Sequence, residues 1–190
     1  MEWLIFALAA VVVLVIVVVI YYVNRITVLS NRIDNAWSQI DVQLKKRADL
    51  VPNLVNTVKG YMEHEKDAIR MVTKARERML GASDMKEKVK AEGELSTALK
   101  TIFALAENYP ALRASENFKL LQEQLDGIES KIAYARQFYN DSVLTFNDMI
   151  STIPGSWFAG LIGKGMPREY FAIAEEERSC LLYTSDAADE

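Results

Sequence analysis

The chain has 190 residues, 51% of them hydrophobic, with 22 basic and 26 acidic residues, one histidine and one cysteine. Glu2, Asp186, Asp189 and Glu190 account for the acidic excess, so the stretch from Asn24 to Ser179 balances 22 acids against 22 bases and lacks the concentrated basic face that nucleic acid requires. A lone cysteine excludes an intrachain disulfide framework.

From Trp3 to Val23 the sequence runs twenty-one residues without a charge, a glycine or a proline. As a helix that stretch is about 31 Å long, the thickness of a bilayer's hydrocarbon. Trp3, Tyr21 and Tyr22 stand where amphipathic rings settle at the two water interfaces. A cleaved signal peptide would need a basic start, a shorter apolar run and a small-residue site after it; Glu2 and the position of Ala7–Ala10 fit none of these, so residues 1–23 read as a retained single-pass anchor contacting membrane lipid. Arg25, Arg32 and then Lys45, Lys46 and Arg47 follow the span and no Lys or Arg precedes it. By the positive-inside rule the short N-terminus lies outside and the C-terminal part is cytoplasmic, at the inner membrane of a bacterial cell.

Beyond the anchor, residues 24–152 read as one helical bundle. The first soluble helix carries Ile26, Leu29, Ile33, Trp37, Ile40 and Leu44 at spacings of three and four, one buried stripe. No proline or glycine precedes Pro52, so anchor and first helix are expected to form a continuous rod. The missing amide of Pro52 predicts a turn or kink at Asp49–Val51, with a second helix starting there, striped by Leu54, Val55, Val58, Tyr61, Met62, Ile69, Val72, Ala75 and Met79. Gly60 would cost about 1 kcal/mol inside that helix. Gly81 to Asp84 supplies a stop followed by N-cap candidates.

A third helix is expected from about Met85 to Asn108, burying Val89, Leu95, Leu99, Ile102 and Leu105, and a fourth from a Ser115 cap with a stripe from Phe118 to Ile150. Short connections between long helices imply antiparallel neighbours. The fold class is therefore all-α: an N-terminal transmembrane helix continuing into an antiparallel up-down four-helix bundle, with the end of the fourth helix facing the bilayer. The segment 153–179 opens with apolar Trp157, Phe158, Leu161 and Ile162 and continues to Lys164 and Arg168. Two readings of it stand: insertion at the membrane surface, or cover for the open end of the bundle core. Residues 180–190, from Cys180, resemble the translation of a sequencing-library adapter and are expected to be non-native, the true C-terminus being missing.

The run from Asn31 through Asn-Ala-Trp-Ser-Gln-Ile-Asp-Val-Gln-Leu and Asp49-Leu-Val-Pro-Asn-Leu-Val to Glu63-His-Glu-Lys66 resembles the signature of the LemA family, supported by Glu107-Asn-Tyr-Pro-Ala-Leu-Arg113, Ala135-Arg-Gln-Phe-Tyr-Asn140 and Phe146-Asn147. The resemblance covers about Asn24 to Glu177. It implies an N-terminal membrane helix, a cytoplasmic-facing helical bundle and bacterial origin, with no known catalytic activity and a loose association with envelope protein quality control.

Arg32, Asn35, Gln39, Gln43, Arg47, Asn53 and Asn56 repeat along the first two expected helices at positions that a simple bundle does not need. They form either a hydrogen-bonded network that sets register or a face for a membrane-protein partner or a second copy of the chain. With a turn near Asp49, Arg47 and Asn53 would flank it, and Asn35 and Gln39 would approach the returning helix. Lys45-Lys46-Arg47 reads as a solvated helix end.

His64 has Ala68 where a zinc-protease helix would place its second histidine, so no metal, cofactor or catalytic residue is expected. Asp34 and Asp41 share a helix face, leaving a carboxylate-dependent hydrolase as a remote alternative. The leading reading is a non-catalytic, membrane-anchored scaffold or adaptor; the second is a membrane-surface stress or remodelling factor working through the Trp157 segment.

Overall fold

A computed structural model of the chain describes residues 1–171; the expected tail 180–190 and the end of the 153–179 segment lie outside them. The chain is all-α, with α1 Glu2–Lys59, α2 Lys66–Gly81, α3 Met85–Ala106, α4 Pro110–Ala114, α5 Glu116–Ser151 and α6 Gly155–Leu161. It divides into two compact units, each taking part of α1 and part of α5.

The first unit comprises residues 1–38 and 135–170. It contains the apolar span, which is long and apolar enough to cross a membrane and whose most apolar stretch has no buried residue among the described residues. Past the span, Ile26, Leu29, Ile33 and Ala36 of α1 are buried, as are Ala135, Tyr139, Val143 and Phe146 of α5. The expected spacing is the one that buries them, except that Ala36 takes the buried place expected of Trp37, which is half-buried. After α5 the chain turns through a cis Ile153–Pro154 bond into α6.

Gly155 sits at that corner, where a Cβ would lie 2.0 Å from the Met149 carbonyl oxygen. Only glycine allows so close an approach.

The second unit comprises residues 39–134 of the described chain together with Phe171, and has four long helical segments from α1, α2, α3 and α5. Ile40, Leu44, Ala48, Val51, Leu54 and Val58 of α1, Val72 and Met79 of α2, Leu95, Leu99 and Ile102 of α3, and Leu125 and Ile132 of α5 make its core. Asp84 caps α3, its side chain accepting from the Glu87 amide at 2.8 Å, while the Glu87 carboxylate accepts in return from the Ser83 amide at 3.0 Å.

One expected break is absent. Pro52 lies inside α1, which continues to Lys59. Proline in a helix leaves the carbonyl four residues earlier without its donor. That carbonyl belongs to Ala48, and the Arg76 Nε of α2 donates to it at 3.0 Å. The turn falls instead at residues 60–65, so Gly60 follows the helix rather than interrupting it, and Tyr61, expected in the core, is exposed in the turn.

Candidate functional site

Two polar assemblies and one apolar surface draw on the residues that the sequence singled out. In the second unit, Arg47 is buried and mid-helix, not part of a solvated helix end as its charged neighbours suggest; Lys45 and Lys46 do face solvent. Its Nη1 reaches Glu92 at 3.2 Å and Ser96 at 2.8 Å on α3, and Glu129 at 2.7 Å on α5. Ser96 in turn donates to Glu92 at 3.1 Å. Glu92 and Ser96 are themselves buried, whereas Glu129 is half-exposed.

One guanidinium thus ties three helices and is neutralised by two carboxylates, the arrangement that makes a buried cation tolerable. Among the described residues, Gln43 Oε1 and Arg47 Nε are buried with no partner, an acceptor and a donor one turn apart on α1. Nearby, Lys88 pairs with Asp41.

Gln39, Asn53 and Asn56 face solvent in this unit. Because the turn lies at residues 60–65, Arg47 and Asn53 do not flank it as the sequence suggested. His64 lies in that turn, in a cleft of about 710 Å³ lined also by Lys59, Glu63, Lys66 and Ile69. No group of three or more potential metal ligands occurs among the described residues.

In the first unit, Asn35 is exposed and Arg32 lies over the Phe138 ring, 4.8 Å from its centroid. Trp37, half-buried, meets Tyr139 edge-on at 6.0 Å. The chain after α6 returns along α5. The Asn147 amide accepts from the Arg168 backbone N–H at 2.8 Å and donates to the Arg168 carbonyl at 3.0 Å. Tyr139 Oη donates to the Glu169 carbonyl at 3.0 Å.

The Arg168 guanidinium then reaches Ser30 Oγ and the Asp34 carboxylate on α1, each at 3.4 Å. Asp34 is therefore a structural ion-pair partner here. Burial raises the Tyr139 phenol above its ordinary 10.0; Arg168 pulls it back, while Asp34 and Glu169 push it further up.

The apolar surface lies at the end of the span. Phe158 of α6 stacks on Tyr22 with ring centroids 5.3 Å apart and planes 22° from parallel, and Tyr22 meets Tyr21 edge-on. With Phe158 and Ile162 half-buried, Trp157 and Leu161 point away, 64% and 79% exposed. Ile153 and Met166 add to the same exposed set.

Of the residues that do the tying, Arg76, Glu92, Ser96, Glu129 and Asn147 were missed as side chains with a role. Only Asn147 carried a signal, standing in one of the segments by which the chain resembles a known family.

The LemA family model matches residues 36–181. The chain belongs to the LemA family. The match begins within α1 and runs two residues into the stretch expected to be non-native. Among curated proteins, this LemA-family chain is similar to the magnetosome protein MamQ of Magnetospirillum gryphiswaldense and to magnetosome proteins MamQ 1 and MamQ 2 of Paramagnetospirillum magneticum, each 30% identical over 73 residues. The alignment covers 38% of this chain and 27% of each relative's length. Family and apolar span together make this a membrane-associated protein.

Proposed function

We propose that the chain is a non-catalytic, membrane-anchored scaffold or adaptor held at the bilayer surface at two points, the N-terminal span and α6. The stacking of Phe158 on Tyr22 carries this reading, because it fixes an exposed apolar helix at the end of the span. A short amphipathic segment with Trp and Leu outward gains free energy by entering the headgroup boundary. Arg25 and Arg32 after the span support a cytoplasmic C-terminal part at the bacterial inner membrane. The solvent-facing side chains of α1 (Asn35 in the first unit; Gln39, Asn53 and Asn56 in the second) are offered to a membrane-protein partner.

A second reading, a membrane-surface stress or remodelling factor, is favoured by one observation: Trp157 and Leu161 expose more apolar surface than a cover for the bundle core would. The relatives' name, magnetosome protein, selects neither reading. Photoreactive residues at Asn35, Gln39 and Trp157 in intact cells separate them. Capture of a discrete membrane protein at Asn35 or Gln39 is the expected result for the scaffold. Capture of lipid alone, at Trp157 and nowhere else, would overturn the adaptor reading in favour of the second.

A further inference from the structure

Two stripes run along α1 where it leaves the apolar span. Ile26, Leu29, Ile33 and Ala36 form the first and are buried in the core of the first unit. The second is made of Tyr21, Asn24, Val28, Asn31, Asn35 and Ser38, in the same unit. Its last four members are the buried four shifted by two residues, about 200° around the helix, so the stripe faces away from the core. All six are exposed, Tyr21 at 60% and Val28 at 57%. The stripe is about 26 Å long.

No charge stands on it, although Arg25, Arg32 and Asp34 stand beside it. An exposed helix face in water normally carries long charged side chains, which are good helix formers; asparagine and valine are poorer ones. The amides of Asn24, Asn31 and Asn35 have no hydrogen-bond partner among the described residues, so they gain nothing inside their own chain. The spacing alternates three and four, an average of 3.5, which is the seam of a two-stranded supercoil. Val28 and Asn35 occupy the same place in successive heptads. A β-branched residue there favours two strands, and an asparagine there fixes register.

We infer that this stripe binds a second copy of the chain, with the two α1 helices parallel and in register about a two-fold axis along them. The inference rests on the scaffold reading and names the partner of its α1 face. Because α1 is one helix from Glu2 to Lys59, two copies in one membrane hold their α1 helices parallel and at the same depth. A parallel two-fold axis then sets each residue of the stripe against itself. Val28 packs on the partner's Val28. Asn31 and Asn35 meet the partner's Asn31 and Asn35, and a carboxamide, which both donates and accepts, can pair with its own copy. A charge on the seam would meet its like, and the stripe has none. Arg25 and Arg32 flank it on one side and Asp34 on the other, so the basic edge of each copy runs beside the acidic edge of its partner. Asp34 stays 60% exposed at its side chain despite its contact with Arg168.

The test uses the full chain in its membrane with Cys180→Ser as background. Val28→Cys and Asn35→Cys should each give a disulfide-linked homodimer on mild oxidation, and Leu144→Cys, exposed on α5, should not. When differently tagged Val28→Cys and Asn35→Cys chains are co-expressed, each should link to its own kind in preference to the other. Asn35→Asp added to the Val28→Cys chain should weaken its adduct, as should Asn35→Lys, and co-expression of the two should restore it. The inference is overturned by the absence of homodimers at positions 28 and 35, by a Leu144→Cys adduct as strong as theirs, by a mixed adduct as strong as the self-adducts, or by an adduct indifferent to both charges. Crosslinking of α1 to a different membrane protein, with no self-adduct, would overturn the inference and leave the scaffold reading standing; the absence of any protein adduct along α1 would overturn both.

Discussion

The Arg76 Nε of α2 donates to the Ala48 carbonyl at 3.0 Å, and Ala48 is the residue whose helical donor Pro52 removes. Ala48 is fully buried, so its carbonyl has no recourse to solvent. A side chain from a neighbouring helix thus satisfies the acceptor that proline orphans, and α1 passes through Pro52 with its ladder one bond short but no carbonyl left unpaired there.

This relationship predicts a coupling. Arg76→Met should destabilise the protein by about 1–3 kcal/mol, the cost of leaving a buried carbonyl unpaired. In a Pro52→Ala background the new amide of residue 52 can donate to Ala48, and the cost of Arg76→Met should fall by about 1 kcal/mol or more. Chemical denaturation of the four full-length variants in detergent measures the cycle. An equal cost in both backgrounds would show that the guanidinium acts elsewhere.

Arg47 should be the most sensitive polar position in the second unit. Arg47→Ala leaves Glu92 buried beside Ser96 with no cation, a change that typically costs about 3–5 kcal/mol. Glu129, whose side chain is half-exposed, should matter far less, with Glu129→Ala losing at most about 1 kcal/mol. Replacing Arg47 and Glu92 together with Met and Gln should recover much of the loss, since no buried charge is then left unpaired and the Glu129 carboxylate, half-exposed, is solvated. A double variant as unstable as Arg47→Ala would place the stabilisation in something other than charge compensation.

The contrast between what the sequence shows and what it hides is physical. The Ile26–Leu44 stripe, the Asp84 cap and the apolar span are legible because each is local: spacings of three and four, a carboxylate before a helix, an unbroken apolar run. Pro52 misleads because the donor that rescues its helix lies in α2, beyond any local window. Arg47 misleads in the same way. Lys45 and Lys46 beside it are solvated, and only Glu92, Ser96 and Glu129 from two other helices make its burial intelligible. Of the seven polar residues picked out on the expected helices, Arg47 joins a buried network, while Asn35, Gln39, Asn53 and Asn56 face solvent, a division that the sequence cannot draw because it does not say which way each side chain points.

Two glycines at the α5–α6 end of the chain should respond oppositely to one methyl group. Gly155→Ala drives a Cβ into the Met149 carbonyl, so the corner must open, at a cost of about 1–3 kcal/mol or more. Gly160→Ala, in α6 with nothing within 4 Å of the added atom, should be neutral or slightly stabilising through helix propensity. Thermal melts of the two variants provide the comparison, and equal effects would mean that the corner is not held as tightly as the distances require.

Tyr139 predicts a dependence on alkaline pH. Its phenol titrates above its ordinary 10.0 in the folded chain, chiefly through burial, so the folded state holds this proton more tightly than the unfolded one. Stability from this group is therefore complete below pH 10 and declines as pH rises through the higher folded value, where the donor to the Glu169 carbonyl is lost. The stability difference between the native chain and Tyr139→Phe should be constant from pH 7 to about 9.5 and shrink above pH 10. A difference that stays flat to pH 11 would mean that Tyr139 does not titrate as its surroundings dictate.

Trp157 offers a direct reading of where α6 lies. In a Trp3→Phe, Trp37→Phe background it is the only tryptophan of the chain. If α6 rests in the headgroup boundary, lipids brominated high on the acyl chain should quench its fluorescence more strongly than lipids brominated near the chain end, and aqueous iodide should quench it weakly. Phe158→Ala removes the ring stacked on Tyr22 and should weaken the bromolipid quenching while raising the iodide quenching, because the ring contact between the helix and the end of the span is then lost. Strong iodide quenching with no bromolipid effect in the native sequence would put Trp157 in water and leave the exposed side chains of α6 without a membrane role.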